Sequence, residues 1–212
     1  MSPFSKWVGD RASMQVDLSS YRHTYRPGRS TFVCALWFFL GLPLLRCGLI
    51  PSSKFRVRLL RLFGARVGAG LIVKPGVRVK YPWLLRTGDH CWIGEDAWID
   101  NLAPVCLGSS VCISQAAYFC TGNHDWTDPA FGLMVGSITV GDGAWIGARA
   151  LVGPGTVVGE GAVLAAGAVA TRRITPYSIY SGNPAVMVGT RKLRPNSLSE
   201  FRAGVAVPQV SS

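Results

Sequence analysis

From Val67 onward the chain places an aliphatic or aromatic residue every six positions, a period that few folds accept. Val67, Val73 and Val79 open the pattern, and Ile93, Ile99 and Val105 continue it. After a two-residue slip it resumes at Ile113 and Phe119. The clearest run is Val140, Ile146, Val152, Val158 and Leu164, in which Gly141, Gly147, Gly153 and Gly159 each follow one place behind. Six residues are too few for a repeat that contains a helix. Alternation in an ordinary antiparallel sheet has period two and gives no reason for glycine at i+1 four times running. β-branched lead residues suit short strands. The glycine behind each is expected to turn a corner, because it adopts φ > 0 without steric cost. Three units then close a triangular coil, and lead residues of successive coils stack into one apolar column. The fold class is mainly β: a parallel β-helix.

Composition fits that fold and excludes several others. An apolar fraction of 49% over 212 residues supplies a core without staples. Six cysteines, at 34, 47, 91, 106, 112 and 120, form no C-x-x-C pair, which argues against zinc ribbons and redox dithiols and favours a reduced, intracellular setting. The net charge of +11 is uneven. Residues 1–66 carry 11 Lys+Arg against 2 Asp+Glu, and the remainder 11 against 9. The basic character therefore belongs to an N-terminal arm, and the nearly neutral body is poorly suited to tracking nucleic acid.

The hexad is the mark of the left-handed β-helix, and residues 67–192 resemble the hexapeptide-repeat acyltransferases from end to end. Ile99-Asp100-Asn101-Leu102-Ala103-Pro104, Cys120-Thr121-Gly122-Asn123-His124-Asp125 and Ser181-Gly182-Asn183-Pro184-Ala185 look most like the colanic-acid-type exopolysaccharide O-acetyltransferases. Galactoside, maltose and nodulation-factor acetyltransferases are more distant relatives. The apolar then Arg-rich arm also resembles the start of that subgroup. This divides the chain into an arm, partly helical, over 1–66; the left-handed β-helix over 67–175 with a loop at 125–139; a segment bordering CoA over 176–194; and a tail, 195–212, expected to be disordered. The resemblance implies acetyl-CoA as co-substrate, no metal, and direct transfer of acetyl to a sugar hydroxyl in exopolysaccharide biosynthesis.

The hexad register is lost between Asp125 and Thr139, and His124 stands at the root of that excursion. Loops on rigid scaffolds are where sites are built. A sugar hydroxyl attacks a thioester only if its proton leaves during attack, and imidazole is the natural acceptor, contributing typically about 10²–10⁴-fold. His124 is thus the candidate general base. Family position points to the backbone N–H of Ala148 as oxyanion donor. Asp100 and Asn101 precede His124 by about one coil and are candidates to bind the acceptor or orient the imidazole, with polar corner residues as the bland alternative. Trp126 offers an apolar face for a sugar or pantetheine, or simply pins the loop. Asp96 and Asp125 are read as ordinary turn residues. For acetyl-CoA the resemblance implies Ala148, Ala166, Thr171, Arg172 and Pro184, with Arg191 or Lys192 on a phosphate. Relatives usually have Lys where Arg172 stands, which changes the geometry of that contact.

Other readings of the same coil are a xenobiotic O-acetyltransferase, a non-enzymatic assembly surface, and a zinc hydrase of the γ-carbonic anhydrase type. The last needs three histidines, and only His90 and His124 lie in the coil. A homotrimer with sites at subunit interfaces is expected, because a narrow prism has little concave surface of its own. Residues 31–45 carry no charge but fall short of the roughly 20 needed to span a bilayer. In the following helix Phe55, Leu59 and Leu62 would share one face and Lys54, Arg58 and Arg61 another. The protein is expected to be cytoplasmic, with residues 31–63 either packing on the coil or touching an anionic membrane peripherally, which would suit a lipid-linked acceptor glycan.

Overall fold

The computed structural model describes residues 16–22 and 24–194, so the expected tail lies outside the described residues. Three stacks of short parallel strands form the faces of a prism. The first face holds Arg66–Val67, Leu85–Thr87, Val105–Leu107, Ile138–Val140 and Val157–Val158; the third holds Arg78–Val79, Trp98–Asp100, Tyr118–Cys120, Leu151–Val152 and Val169–Ala170. The second runs from Ile72–Val73 through Trp92–Ile93, Cys112–Ile113, Trp145–Ile146 and Val163–Leu164 to Ser178–Ser181, and is closed by the antiparallel Val186–Thr190. The first edge joins first to second face, the second edge second to third, and the third edge returns to the first. Val73, Val79, Ile93, Ile99, Ile113, Phe119, Ile146, Val152 and Leu164 point inward and are buried, forming the expected column. Burying each such side chain contributes roughly 1.5–3 kcal/mol.

Two features of the repeat differ from the expectation. The glycines one place after the column do not supply φ > 0. They allow the coils to stack: a Cβ on Gly141 would lie 2.6 Å from the Glu160 nitrogen, and one on Gly147 2.5 Å from that of Ala166. The left-handed residue of these corners sits two places later, at Gly143, Arg149, Gly155 and Gly161. The slip also recurs. Arg66 pairs with Arg86 and Arg78 with Trp98, giving coils of 20 residues, whereas Trp145 pairs with Val163 and Leu151 with Val169, giving 18. The extra pair of residues enters on the third edge. There the first-face strands point two side chains inward each, Leu85 with Thr87 and Val105 with Leu107.

The arm docks on the first coils. Helix α1 (Thr31–Leu36), a π-turn (Trp37–Gly41) and helix α2 (Leu42–Arg46) follow one another without a break, and α3 (Ser53–Leu62) comes next. Ser30 and Ser52 cap α1 and α3 by accepting from the N–H groups of Val33 and Phe55. Pro43 has no N–H and would crowd the carbonyl four residues back, and the wider π-turn ahead of it relieves that conflict, with Leu42 N–H reaching the Trp37 carbonyl. Trp37 is buried, and its indole N–H donates to the Val79 carbonyl at 3.0 Å. In α3 the buried face is Arg56, Val57, Leu59 and Leu60, rather than Phe55, Leu59 and Leu62; Leu62 is 79% exposed. The reason is Arg56: its guanidinium donates to the carbonyls of Leu45, Cys47 and Ile50, satisfying the end of α2. Lys54, Arg58 and Arg61 are exposed as expected. No helix among the described residues is long and apolar enough to cross a membrane.

Candidate active site

The third edge breaks between Cys120 and Ile138, where the chain leaves as a hairpin. Gly122–His124 pairs antiparallel with Leu133–Val135. Two carboxylates organise its turn. Asp125 Oδ1 accepts from the N–H and the hydroxyl of Thr127 at 2.9 and 2.6 Å, and these bonds hold the Asp125 carboxyl below its ordinary range. Asp128 accepts from Ala130 N–H through Oδ1 at 2.9 Å and from Gly132 N–H through Oδ2 at 3.2 Å. Its own carbonyl accepts Phe131 N–H at 2.8 Å. Phe131 is thereby held at φ 56°, a left-handed conformation that is a genuine outlier for a bulky side chain.

That conformation serves His124. The Phe131 carbonyl lies 2.8 Å from His124 Nδ1, and the two rings stack with centroids 4.8 Å apart. A carbonyl can only accept, so Nδ1 carries the proton and Nε2 keeps its lone pair. Tyr21 flanks the imidazole at 5.9 Å, on a strap that also donates Asp17 N–H to the Pro129 carbonyl and the Tyr25 hydroxyl to the Leu102 carbonyl. Sequence reasoning missed Phe131, Asp128 and Tyr21. Asp128-Pro129 with Gly132 was a readable turn signal, but nothing in the sequence marked a left-handed phenylalanine.

The expected acceptor residues part company. Asp100 lies on the third face one coil below Cys120, pairs with Lys80 at 2.9 Å and accepts from the Tyr118 hydroxyl at 3.3 Å. Asn101 is fully buried, and its amide is spent on Tyr81: Oδ1 accepts from the Tyr81 N–H at 2.9 Å and Nδ2 donates to its carbonyl at 2.8 Å. It supports a corner and has no exposed surface to offer an acceptor. Trp126 is 74% exposed at the outer part of the loop.

Ala148 belongs to the second edge, and so does Ala166, directly above it. On the first edge the corner amides are capped by side chains of the next coil: Ala69 by Asp89, Asp89 by Ser109, Ser109 by Asp142. On the second edge the N–H groups of Ala148 and Ala166 donate to no described residue, which leaves a line of open amide donors. Thr171, Arg172 and Pro184 meet Tyr180 and Met187 in a cleft of about 440 Å³ at the C-terminal end of the third face. A cation beside an apolar wall in that cleft suits a phosphate-bearing co-substrate. Arg191 does not join it. Its guanidinium donates to the carbonyls of Gly143 and Gly161 on the first edge, where it fastens the last strand. Lys192 is exposed next to it.

Comparison with known proteins gives this geometry a family. The profile described as bacterial transferase hexapeptide (six repeats) matches residues 137–172. The chain is 35% identical over 138 residues to the protein designated colanic acid biosynthesis acetyltransferase WcaF of Escherichia coli strain K12, covering 65% of this chain and 76% of that one. Among solved structures it is similar to the hexapeptide-repeat acetyltransferase VCA0836 of Vibrio cholerae, with TM-score 0.68 and 26% identity over 77% of this chain and 94% of that one. That protein has also been solved in complex with acetyl coenzyme A. A maltose O-acetyltransferase from Clostridium difficile shares the fold, with TM-score 0.69 and 20% identity over 77% of this chain and 90% of that one. The chain belongs to the hexapeptide-repeat family of acetyltransferases.

Proposed function

We propose that this protein transfers acetyl from acetyl-CoA to a sugar hydroxyl during exopolysaccharide synthesis, with His124 as general base. The observation that carries the reading is the 2.8 Å contact between His124 Nδ1 and the Phe131 carbonyl, which assigns the proton to Nδ1 and, in the neutral ring, the lone pair to Nε2. Nε2 takes the hydroxyl proton as the oxygen attacks the thioester carbonyl. The Ala148 N–H stabilises the oxyanion of the tetrahedral intermediate. As the C–S bond breaks, the imidazolium returns its proton to the departing thiolate, so the enzyme ends unchanged. Thr171, Arg172 and Pro184 hold the nucleotide end, and Ala166 lets the pantetheine approach the backbone. Asp100 and Trp126 are the residues left to meet the acceptor. Likeness to the colanic acid and maltose proteins supports a sugar as acceptor, and a cytoplasmic reaction is in keeping with acetyl-CoA as donor.

We infer that the base and the oxyanion donor that serve one acetyl group come from different chains. Ala148 precedes the third-face strand Leu151–Val152, and His124 leaves from that face's opposite edge. Five residues of extended chain place these edges roughly 15 Å apart. The site is completed when the second edge of a neighbouring subunit meets the third edge of this one, three times around a trimer. Thiol release from acetyl-CoA, followed across a panel of free, nucleotide-linked and lipid-linked sugars, tests the reading. At least one sugar should stimulate release, and His124→Ala should lower kcat by about 10²-fold or more while leaving CoA binding intact. A His124→Ala protein keeping a tenth of wild-type kcat, or a stable active monomer of 22.8 kDa in light scattering, would sink it.

A further inference from the structure

The arm helix and the third face enclose a groove of about 560 Å³ in which the chemistry above uses only Asp100. Its size is that of a small-molecule site. One wall is Ala35, Phe38 and Phe39 of the arm, and Phe38 and Phe39 are 62% and 77% exposed. The facing wall carries Arg78, Lys80, Trp98 and Asp100. Lys80 and Asp100 neutralise one another. Arg78 lies over the Trp98 ring at 4.4 Å, and among the described residues no carboxylate comes within ion-pair distance of it. A cation held flat on an aromatic ring thus borders an apolar wall, with one positive charge in excess.

We propose that this groove binds the carrier end of the acceptor: a phosphate ester on a long hydrocarbon chain, the phosphate on Arg78 and the chain along the arm helix. The inference rests on a glycan acceptor and names how that glycan is presented. Arg78, Trp98 and Tyr118 stack in successive coils, with ring centroids of Trp98 and Tyr118 4.6 Å apart. Two coil spacings of about 4.8 Å each carry the line about 10 Å, from Arg78 to the strand that feeds the His124 hairpin. A sugar on the phosphate would therefore extend along this line toward the base. The helix is too short to cross a bilayer, but its exposed phenylalanines suit a hydrocarbon chain lifted from one.

The test is binding of decyl phosphate, kept below its micellar concentration, to the full chain without acetyl-CoA, by titration calorimetry and by the fluorescence of Trp37 and Trp98. Decyl phosphate should bind at least tenfold more tightly than inorganic phosphate and than decyl maltoside, which has the chain without the anion. Arg78→Gln should remove at least tenfold of that affinity, Arg78→Lys should restore part of it, and Ala35→Trp, which fills the apolar wall, should reduce it without touching the cation. Equal affinity for decyl phosphate and inorganic phosphate would overturn the proposal, as would indifference to Arg78→Gln. So would flotation with phosphatidylglycerol vesicles in a protein that ignores monomeric decyl phosphate, which assigns the face to a membrane surface. An absence of any binding in a trimer whose subunits cover the groove would overturn it too. Because no transfer is measured, failure here leaves the thiol-release result standing, and failure of that assay leaves this one standing.

Discussion

Replacing Asp128 by alanine should slow transfer without touching His124, the proposed base. The Asp128 carboxylate is the acceptor for the N–H groups of Ala130 and Gly132, and these two bonds hold the turn in which Phe131 is left-handed. In a partly exposed loop each is worth about 1 kcal/mol net, so Asp128→Ala costs the ordered turn about 2 kcal/mol. If that cost appears in full as a smaller population of loops with the Phe131 carbonyl on Nδ1, kcat falls about 30-fold, at about 1.4 kcal/mol per tenfold. The apparent KM for acetyl-CoA should not move, because the donor cleft lies at the far end of the third face. Nitrogen-15 chemical shifts of the His124 imidazole give the independent readout: one tautomer in the wild type, a mixture of both in Asp128→Ala. Asp128→Asn, which keeps one acceptor oxygen, should fall between. A variant with wild-type kcat, or with reduced kcat and a single unchanged tautomer, would show that the turn does not position the base.

Ala148→Pro removes the proposed oxyanion donor, and the fold already accepts proline there, since Pro75 occupies the same corner position on the same edge. Such a protein should keep its melting temperature and lose about 10²–10³-fold in kcat; mixed trimers of Ala148→Pro and His124→Ala chains should regain activity, and none would if one chain supplied both groups. Asn101→Ala strands the N–H and carbonyl of Tyr81 and should destabilise by about 2 kcal/mol, seen as a melting temperature lower by about 4–8 °C. A raised acceptor KM with no thermal shift would instead restore Asn101 to the acceptor site. The Asp125 carboxyl is depressed by its Thr127 bonds, so its support for the loop is complete above the ordinary value of about 3.9 and disappears as pH falls through the lower, folded value. The Thr127 amide resonance should therefore hold constant from neutrality to about pH 4 and shift only below it; movement at pH 5–6 would contradict that assignment.

The hexad was legible because burial imposes it: a large side chain must point into the prism every six positions, with a second, often small, buried residue two places ahead of it, and the sequence records that column from Val73 to Leu164. Its exceptions were harder to read. The corner residues Leu84 and Leu102 are apolar and merge with the strands, which hid the recurrence of the slip. Glycine behind the column was legible as a requirement but not as to its cause, since a close neighbour on the next coil leaves no trace in the local sequence. His124 was visible from its place at the loop root. Its orientation was not, because it depends on Phe131 adopting a conformation that its residue type disfavours and that Asp128 imposes. Arg191 was read as a phosphate contact and Arg56 was not singled out, and both turn out to satisfy backbone carbonyls, contacts set by tertiary packing alone.

The three edges are not equivalent as places to lengthen the chain. Four residues join the strands on the first and second edges in every coil from 68–71 to 165–168, while the third edge carries 80–84 in one coil and 121–137 in another. Both lengths return the chain to the same column, for Leu85 pairs with Val105 and Val105 with Ile138. One corner thus works as an open port in an otherwise closed lattice. Because the entropy of closing a loop grows by only about 0.6 kcal/mol per doubling of its length, a segment of any size enters there while the strands on either side keep their partners. The port is also where His124, the proposed base, emerges, so on that reading a change of acceptor requires new residues in one loop and no repacking of the column. The strict hexapeptide profile begins at residue 137, where the port's longest insertion ends and the coils shorten to 18 residues.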